Sequence, residues 1–244
     1  MARIFITGSS DGLGLLAAKA LIDQGHQVVL HARNTKRKED TLKKTEGAEA
    51  VLTGDLLSIE ETKALAGEVN KLGTFDAIIH NAGVYNASGQ QIFKVNVLAP
   101  YILTCLIQKP KRLIYLTSSM HLQGQPKLEY FKTNVERINY SDSKLHILML
   151  CKVVARKWTD VYANSVNPGW VPTKMGGSSA PDDLQKGYET QVWLATSDDE
   201  RAKVSGHYFF HQKAERSHPE ADNFSLQERF MVLCQEITGI SFPG

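Results

Sequence analysis

The chain has 244 residues, 42% of them apolar and 22% charged, an ordinary globular composition that excludes a disordered or fibrous protein. A net charge of +2 gives no electrostatic footprint for nucleic acid, and no apolar run reaches membrane-spanning length. Cys105, Cys151 and Cys234 are odd in number, scattered and set in apolar stretches, which implies no disulfide framework and fits reduced, buried thiols in a reducing compartment.

Met1 leads almost directly into an apolar strand, leaving no room for a signal peptide, so the cytoplasm is the expected location. Strands are expected over residues 3–7, 27–31, 50–53, 75–80, 112–117, 162–166 and 206–210. Amphipathic helical stretches separate them: 13–22, closed by Gly25, and 59–72, opened by Ser58 with Glu61 as a capping box. The basic cluster Lys36-Arg37-Lys38 and the pair Lys43-Lys44 read as solvated surface. The helix over 141–158 is apolar nearly all round, which means deep burial or a subunit interface. Pro181-Asp182-Asp183-Leu184 is expected to begin a further helix, with proline in its first turn and acids favourable to its dipole. His207 and His211 fall on the last expected strand about 13 Å apart, which argues against a zinc pair.

Strand–helix alternation implies right-handed crossovers and a parallel sheet covered on both faces. Ile4-Phe5-Ile6, Val28-Val29-Leu30 and residues 113–116 are continuous apolar runs, as strands buried on both faces require. The expected fold class is therefore α/β, a Rossmann-type doubly wound parallel sheet of about seven strands. No linker, repeat or low-complexity segment divides the chain, so 1–244 is expected to be one domain.

The first strand runs into Thr7-Gly8-Ser9-Ser10-Asp11-Gly12-Leu13-Gly14, where a helix opens. Glycines there let the backbone approach a pyrophosphate, and the N–H groups and dipole of the helix terminus stabilise its charge. The spacing departs from G-x-G-x-x-G, so an ordinary tight turn stays open on that pattern alone. After the second strand an acid would accept a hydrogen bond from a free ribose 2′-OH. Here stand Ala32-Arg33-Asn34 with no acid, and Arg33, assisted by Lys36 or Arg37, suits a 2′-phosphate, favouring NADP(H) over NAD(H). Asp55 reads either as an adenine contact or as a cap of the next turn. Tyr140 and Lys144 lie one helical turn apart, on one face. A phenol of pKa about 10 needs a nearby cation to exchange protons at neutral pH, although one such pair can arise by chance.

Read in order, Thr7-Gly8-x-x-x-Gly12-x-Gly14, Asp55, His80-Asn81-Ala82-Gly83, Asn96, Thr117-Ser118-Ser119, Tyr140-x-x-x-Lys144 and Asn167-Pro168-Gly169-x-Val171-x-Thr173 resemble the short-chain dehydrogenase/reductase family over residues 1–210. The resemblance implies an enzyme acting on CH–OH or C=O with NADP(H). Tyr140 would be the general acid/base, Lys144 would hold the nicotinamide ribose and depress the tyrosine pKa, Ser118 would polarise the carbonyl, and Asn96 would complete a proton relay through water. Ser118, not Ser119, falls at the family's serine when residues 112–116 are set on its strand. The cofactor would rest on Gly8, Ser10, Gly12, Leu13, Gly14, Arg33, Asp55, Leu56, Asn81, Ala82, Gly83, Thr117, Tyr140, Lys144, Pro168, Gly169, Val171 and Thr173.

Three departures stand out: His80 in place of asparagine, a short interval from Asn96 to Arg112, and a long one from Ser118 to Tyr140. The extra residues near 120–138, with His121, Tyr130 and Phe131, resemble the retinol and steroid dehydrogenase-like branch and bacterial daunorubicin-type ketoreductases, and are expected as a wall of the substrate pocket. His121 itself reads more readily as a surface-loop residue. Trp170, Met175, Trp193 and Tyr208 are further wall candidates, residues 174–180 a short mobile loop, and 211–244 a C-terminal segment covering the pocket or serving packing. The implied partner is a bulky, largely apolar carbonyl or alcohol, without nucleic acid or membrane, and the family's habit makes a homo-oligomer (dimer or tetramer) the expectation. The alternatives are a non-catalytic NADP(H)-binding sensor or scaffold, which commonly loses the tyrosine or lysine kept here, and a nucleotide-sugar epimerase, for which the chain is short.

Overall fold

The computed structural model describes residues 1–243. In chain order it comprises β1 Arg3–Ile6, α1 Gly12–Asp23, β2 Gln27–Ala32, α2 Thr35–Leu42, β3 Ala50–Thr53, α3 Ile59–Lys71, β4 Ala77–His80 and α4 Gly89–Phe93. A π-helical turn, Lys94–Leu98, follows, then α5 Ala99–Leu106, β5 Arg112–Leu116, α6 Tyr130–Thr133, α7 Tyr140–Lys157, β6 Tyr162–Asn167, α8 Leu184–Thr196, β7 Tyr208–Phe210, β8 Lys213–Glu215 and α9 Phe224–Thr238. The strand order is β3-β2-β1-β4-β5-β6-β7-β8. The first seven strands are parallel, in registers such as Phe5 with Val29 and Ile114 with Asn164, and β8 alone runs antiparallel, pairing Phe209 with Ala214.

Helices cover both faces because both are apolar. One core layer joins β1, β2 and β5 to α3, α5, α7 and α9 through Phe5, Leu65, Tyr101, Leu148 and Phe230; the other joins the opposite face to α1 and α8 through Ile4, Ile6, Leu21 and Leu194. The crossover topology brings the carboxyl ends of β1, β4, β5 and β6 together, where an open α/β sheet binds ligands.

The expected helix signals are realised with local changes. Ser58 Oγ accepts the Glu61 N–H at 3.2 Å, but Glu61 turns its carboxylate to the Asp55 N–H at 2.8 Å, so the box is half formed. Asp183, not proline, opens α8, its carboxylate accepting the Lys186 N–H, and Pro181 stays outside the helix. The chain turns abruptly after α5, where Ile107 is already extended, which accommodates the short interval to β5.

The apolar girdle of α7 is explained by burial within the chain. The sheet lies against one side of it, and α9 and the turn Pro219–Asp222 against the other. The C-terminal segment is fastened there: the Tyr101 hydroxyl donates to Ile240 O at 2.6 Å, the Trp158 indole N–H donates to Pro243 O at 3.0 Å, and the Trp158 ring packs on Phe242. Of the two roles open to the C-terminal segment, packing is the one these contacts serve. Of the two readings of α7, burial holds, and the subunit-interface argument for a homo-oligomer loses its surface.

Residues 120–138 also go mostly to α7. Pro126 O accepts from His146 Nε2 at 2.5 Å, the Gln125 N–H and Lys127 ammonium both reach the buried Asp142 carboxylate, and Phe131 meets Phe93, His146 and Phe230. The expectation of a substrate wall is not met by this part of the insertion, because its apolar side chains are spent on the α7 and α9 core.

Candidate active site

The turn after β1 is built by close approach. Gly8 has φ +63°, and a Cβ there would lie 2.8 Å from the Ala82 Cα; at Gly14 a Cβ would fall 2.4 Å from Asn81 Nδ2. The glycine spacing thus fits the turn against the segment leaving β4. Asn81 Nδ2 donates to Thr7 O at 2.9 Å and Gly8 O at 3.1 Å, and the Ala82 N–H donates to Thr7 Oγ1 at 3.1 Å. His31, which sequence reasoning passed over, supplies the other clamp. Its Nδ1 accepts the Gly8 N–H at 3.0 Å and its Nε2 lies 2.8 Å from Gly54 O. Burial holds its pKa below the ordinary histidine value, which favours the neutral ring with the proton on Nε2, the form these two contacts require.

The N-terminus of α1 opens on a cavity of ≈ 390 Å³. The turn contributes Gly8, Ser10, Gly12 and Leu13; the ends of β2 and β3 contribute Arg33, Asp55 and Leu56; the ends of β4 to β6 and the segments after them contribute Asn81, Ala82, Gly83, Thr117, Pro168 and Thr173; and α7 contributes Tyr140 and Lys144. These fifteen sequence-derived positions meet in one place. Gly14, Gly169 and Val171 do not line it: Gly14 serves the contact with Asn81, Gly169 passes Asp182, and Val171 packs on Gly187. His31, Arg37, Lys174 and Met175 are additional lining residues.

Charge is arranged at this cavity. Arg33 stands 3.9 Å from Asp55 and is 65% exposed, and Arg37 stands 3.9 Å from Asp11. Asp11 caps α1 through the Gly12 N–H and pairs with Lys174 at 2.6 Å; the Lys174 hydrogen bond is the chief reason its pKa falls below the ordinary carboxylate value. Asp55 Oδ1 accepts the Leu57 N–H at 3.0 Å, so the turn-capping reading of Asp55 is realised at a residue that also lines the cavity. The residues present fit a dinucleotide: a turn that Gly8 and Gly14 close to side chains, a helix N-terminus for its phosphates, and two guanidiniums past the end of β2.

Tyr140 opens α7 because Asn139 and Asp142 form a reciprocal capping box there. Burial pushes the Tyr140 phenol up to about 12, against a hydrogen bond from Ser118 that lowers it. Lys144 is buried, donates from Nζ to Leu116 O at 2.9 Å, and lies 5.2 Å from the Tyr140 ring centroid; burial lowers its pKa to about 8. In this arrangement burial dominates the Tyr140 pKa, and the Lys144 ammonium is turned to the Leu116 carbonyl. The Asn96 side chain is also committed, accepting the Val84 N–H at 2.8 Å and donating to Val84 O at 2.9 Å and Ser143 Oγ at 3.0 Å. The amide thus braces the loop after β4 against α7.

Ser118 carries a hydroxyl that accepts the Met120 N–H at 3.3 Å, leaving its own hydrogen to donate. His121 is not a surface residue: it is fully buried, and its Nδ1 lies 2.6 Å from Ser118 O, which fixes the serine backbone. His80 packs in the core, stacked on Tyr115 and bonded to Thr104. Tyr208 and Trp193 belong to the packing around β7 and α8, whereas Met175 lines the cavity and Trp170 is 58% exposed. Among the described residues no group of three or more His, Cys, Asp or Glu is placed to hold a metal ion; His207 precedes β7 and His211 follows it.

A parallel sheet of this order, with a glycine turn, a Tyr–Ser pair and a buried lysine at its carboxyl edge, defines a nucleotide-linked oxidoreductase. A sequence model of the family described as short chain dehydrogenase matches residues 2–184. An uncharacterized oxidoreductase of Emericella nidulans is 46% identical, with 100% of each chain covered. Retinol dehydrogenase 14 of Mus musculus is 25% identical over 97% of this chain and 86% of its own. Among solved structures, a blue fluorescent protein from a metagenomic library in complex with NADPH superimposes with TM-score 0.71 at 18% identity, covering 86% of this chain and 95% of that one. The chain belongs to the short-chain dehydrogenase/reductase family.

Proposed function

We propose that the protein is an NADP(H)-dependent oxidoreductase that interconverts a carbonyl and its primary or secondary alcohol on a bulky, largely apolar substrate, with Tyr140 as general acid/base. The observation that carries this reading is the convergence of Tyr140 and Lys144 on one cavity with Arg33, Arg37 and the glycine turn. Binding of NADPH by a protein of the same fold supports the cofactor choice, as does the absence of an acid beside Arg33.

The bound nicotinamide would supply or accept the hydride. Ser118, whose hydroxyl donates to the Tyr140 phenol, would redirect that hydrogen to the substrate oxygen held beside the phenol. In reduction Tyr140 gives its proton to that oxygen as negative charge develops. A phenol at about 12 is protonated at neutral pH and ready for this direction; oxidation needs the phenolate and is favoured as pH rises. Lys144, charged below about 8, would hold the ribose hydroxyls and stabilise the phenolate once its ammonium left Leu116 O. Asn96 keeps Val84 and Ser143 in place, so a relay water would take its backbone carbonyl, not its amide. Three buried free cysteines support a cytoplasmic location. A homo-oligomer would have to form through a face other than α7.

The experiment is a screen of aldehydes and ketones with NADPH, following loss of the reduced cofactor and formation of the alcohol. Stoichiometric alcohol is the expected result. Firm NADPH binding with no turnover across a broad panel would favour a sensor or scaffold.

A further inference from the structure

Tyr85 is a large aromatic residue that the core does not use. It is 41% exposed, yet its ring stands edge-on to that of Tyr140, with centroids 4.8 Å apart and planes at 85°. Its backbone is held on both sides. Val84 is bound through both its N–H and its C=O by the Asn96 amide, and the Ala87 N–H returns to Tyr85 O at 3.0 Å. Asn96 also donates to Ser143 Oγ, which donates to Tyr140 O at 2.7 Å, so one bracket fixes the two tyrosines relative to each other.

Other exposed large apolar side chains lie on the segments that leave the same edge of the sheet. Leu122 is 54% exposed after β5, and Trp170 and Met175 are 58% and 46% exposed after β6. Of these Met175 lines the cavity together with Tyr140, and an exposed apolar side chain at a cavity suits an apolar ligand. On the proposed reading the cations that line the cavity belong to the cofactor: Arg33 and Arg37, beside Asp55 and Asp11, to its 2′-phosphate, and Lys144 to its ribose, while Lys174 is paired with Asp11. An acidic substrate finds no spare positive charge beside Tyr140.

Taking the carbonyl reductase reading as its basis, we infer that Tyr85 is a specificity-determining residue that packs on an aromatic ring carried next to the reacting carbonyl, so that the substrate class is a neutral aryl ketone or aldehyde. A ring is preferred over a saturated group of similar size because an aromatic pair gains about 0.5–1.5 kcal/mol beyond its buried area. That corresponds to roughly two- to tenfold in affinity.

The test is calorimetric or NMR-detected binding of acetophenone and of cyclohexyl methyl ketone to the full chain loaded with NADP⁺, in the parent protein, Tyr85→Phe and Tyr85→Ala. The expected result is several-fold tighter binding of acetophenone, kept in Tyr85→Phe and lost in Tyr85→Ala, with NADP⁺ affinity the same in all three. Equal binding of the two ketones, binding of neither, or a preference that survives in Tyr85→Ala would overturn the inference while leaving the oxidoreductase reading intact. Failure of NADP⁺ to bind the parent protein would overturn that reading, and this inference with it.

Discussion

Tyr140→Phe is expected to lower kcat by about a thousandfold, within the range that a positioned general acid contributes, while NADPH affinity and thermal stability stay near those of the parent. The phenol OH has one side-chain partner acting on it, the Ser118 hydroxyl, so its removal leaves little unsatisfied. The pH dependence follows from the burial of the same group. With the phenol held up at about 12, the acid form persists across neutral pH and reduction stays flat there. Oxidation draws on the phenolate and climbs with pH, until Lys144 loses its proton above about 8. Steady-state kinetics in both directions check this; undiminished turnover in Tyr140→Phe would remove Tyr140 from the chemistry.

Lys144→Met should separate stability from activity. Lys144 is 5% exposed, and its one protein acceptor is the neutral Leu116 carbonyl. Its pKa is about 8 in the native chain and about 10.4 when unfolded. Between these values the unfolded chain holds the proton more firmly, so native stability rises with pH through that window. Below about 8 the native state bears the full cost of a buried charge, of order 3 kcal/mol from the shift. Methionine relieves this but orphans the Leu116 carbonyl, which costs about 1–3 kcal/mol. The net expectation is a variant as stable as the parent or about 1–2 kcal/mol more stable at pH 7, with the gain fading towards pH 10. Its kcat should fall at least a hundredfold, as for loss of one preorganised charge-stabilising group. Denaturant unfolding at pH 7 and pH 10, together with turnover, measures both; a marked loss of stability at pH 7 would mean that Lys144 is a structural residue.

Much of this architecture is legible in the chain because apolar runs and turn residues carry it directly. Ile4-Phe5-Ile6 and residues 113–116 read as doubly buried strands and are so. β8 had no such signal: Lys213-Ala214-Glu215 is wholly exposed, and its hairpin turn places His211 and Gln212 at φ +47° and +62° with no glycine to announce it. Its charged side chains blunt the edge of the sheet.

The site was legible where a residue type is needed for one reason only. Gly8, Gly12, Tyr140 and Lys144 are of that kind. His31 was not, since a histidine at a strand end has no periodic signature, and its role follows from two backbone groups, Gly8 N–H and Gly54 O, that meet only in three dimensions. His121 misled for a related reason. The loop that carries it is polar, but the turn Ser119–Gln123 folds its ring under Ser118. Asn96 combined both cases: its place in the π-helical turn Lys94–Leu98 lets one amide serve Val84 and Ser143 together.

Cofactor choice is tested by a titration of the purified protein with NADPH and with NADH, read by tryptophan quenching and energy transfer to the nicotinamide, in the parent and in Arg33→Ala. Tight NADPH binding, weaker NADH binding and a loss in Arg33→Ala confined to NADPH are expected, because only NADPH carries the 2′-phosphate that Arg33 would meet. Binding of neither nucleotide would contradict that expectation.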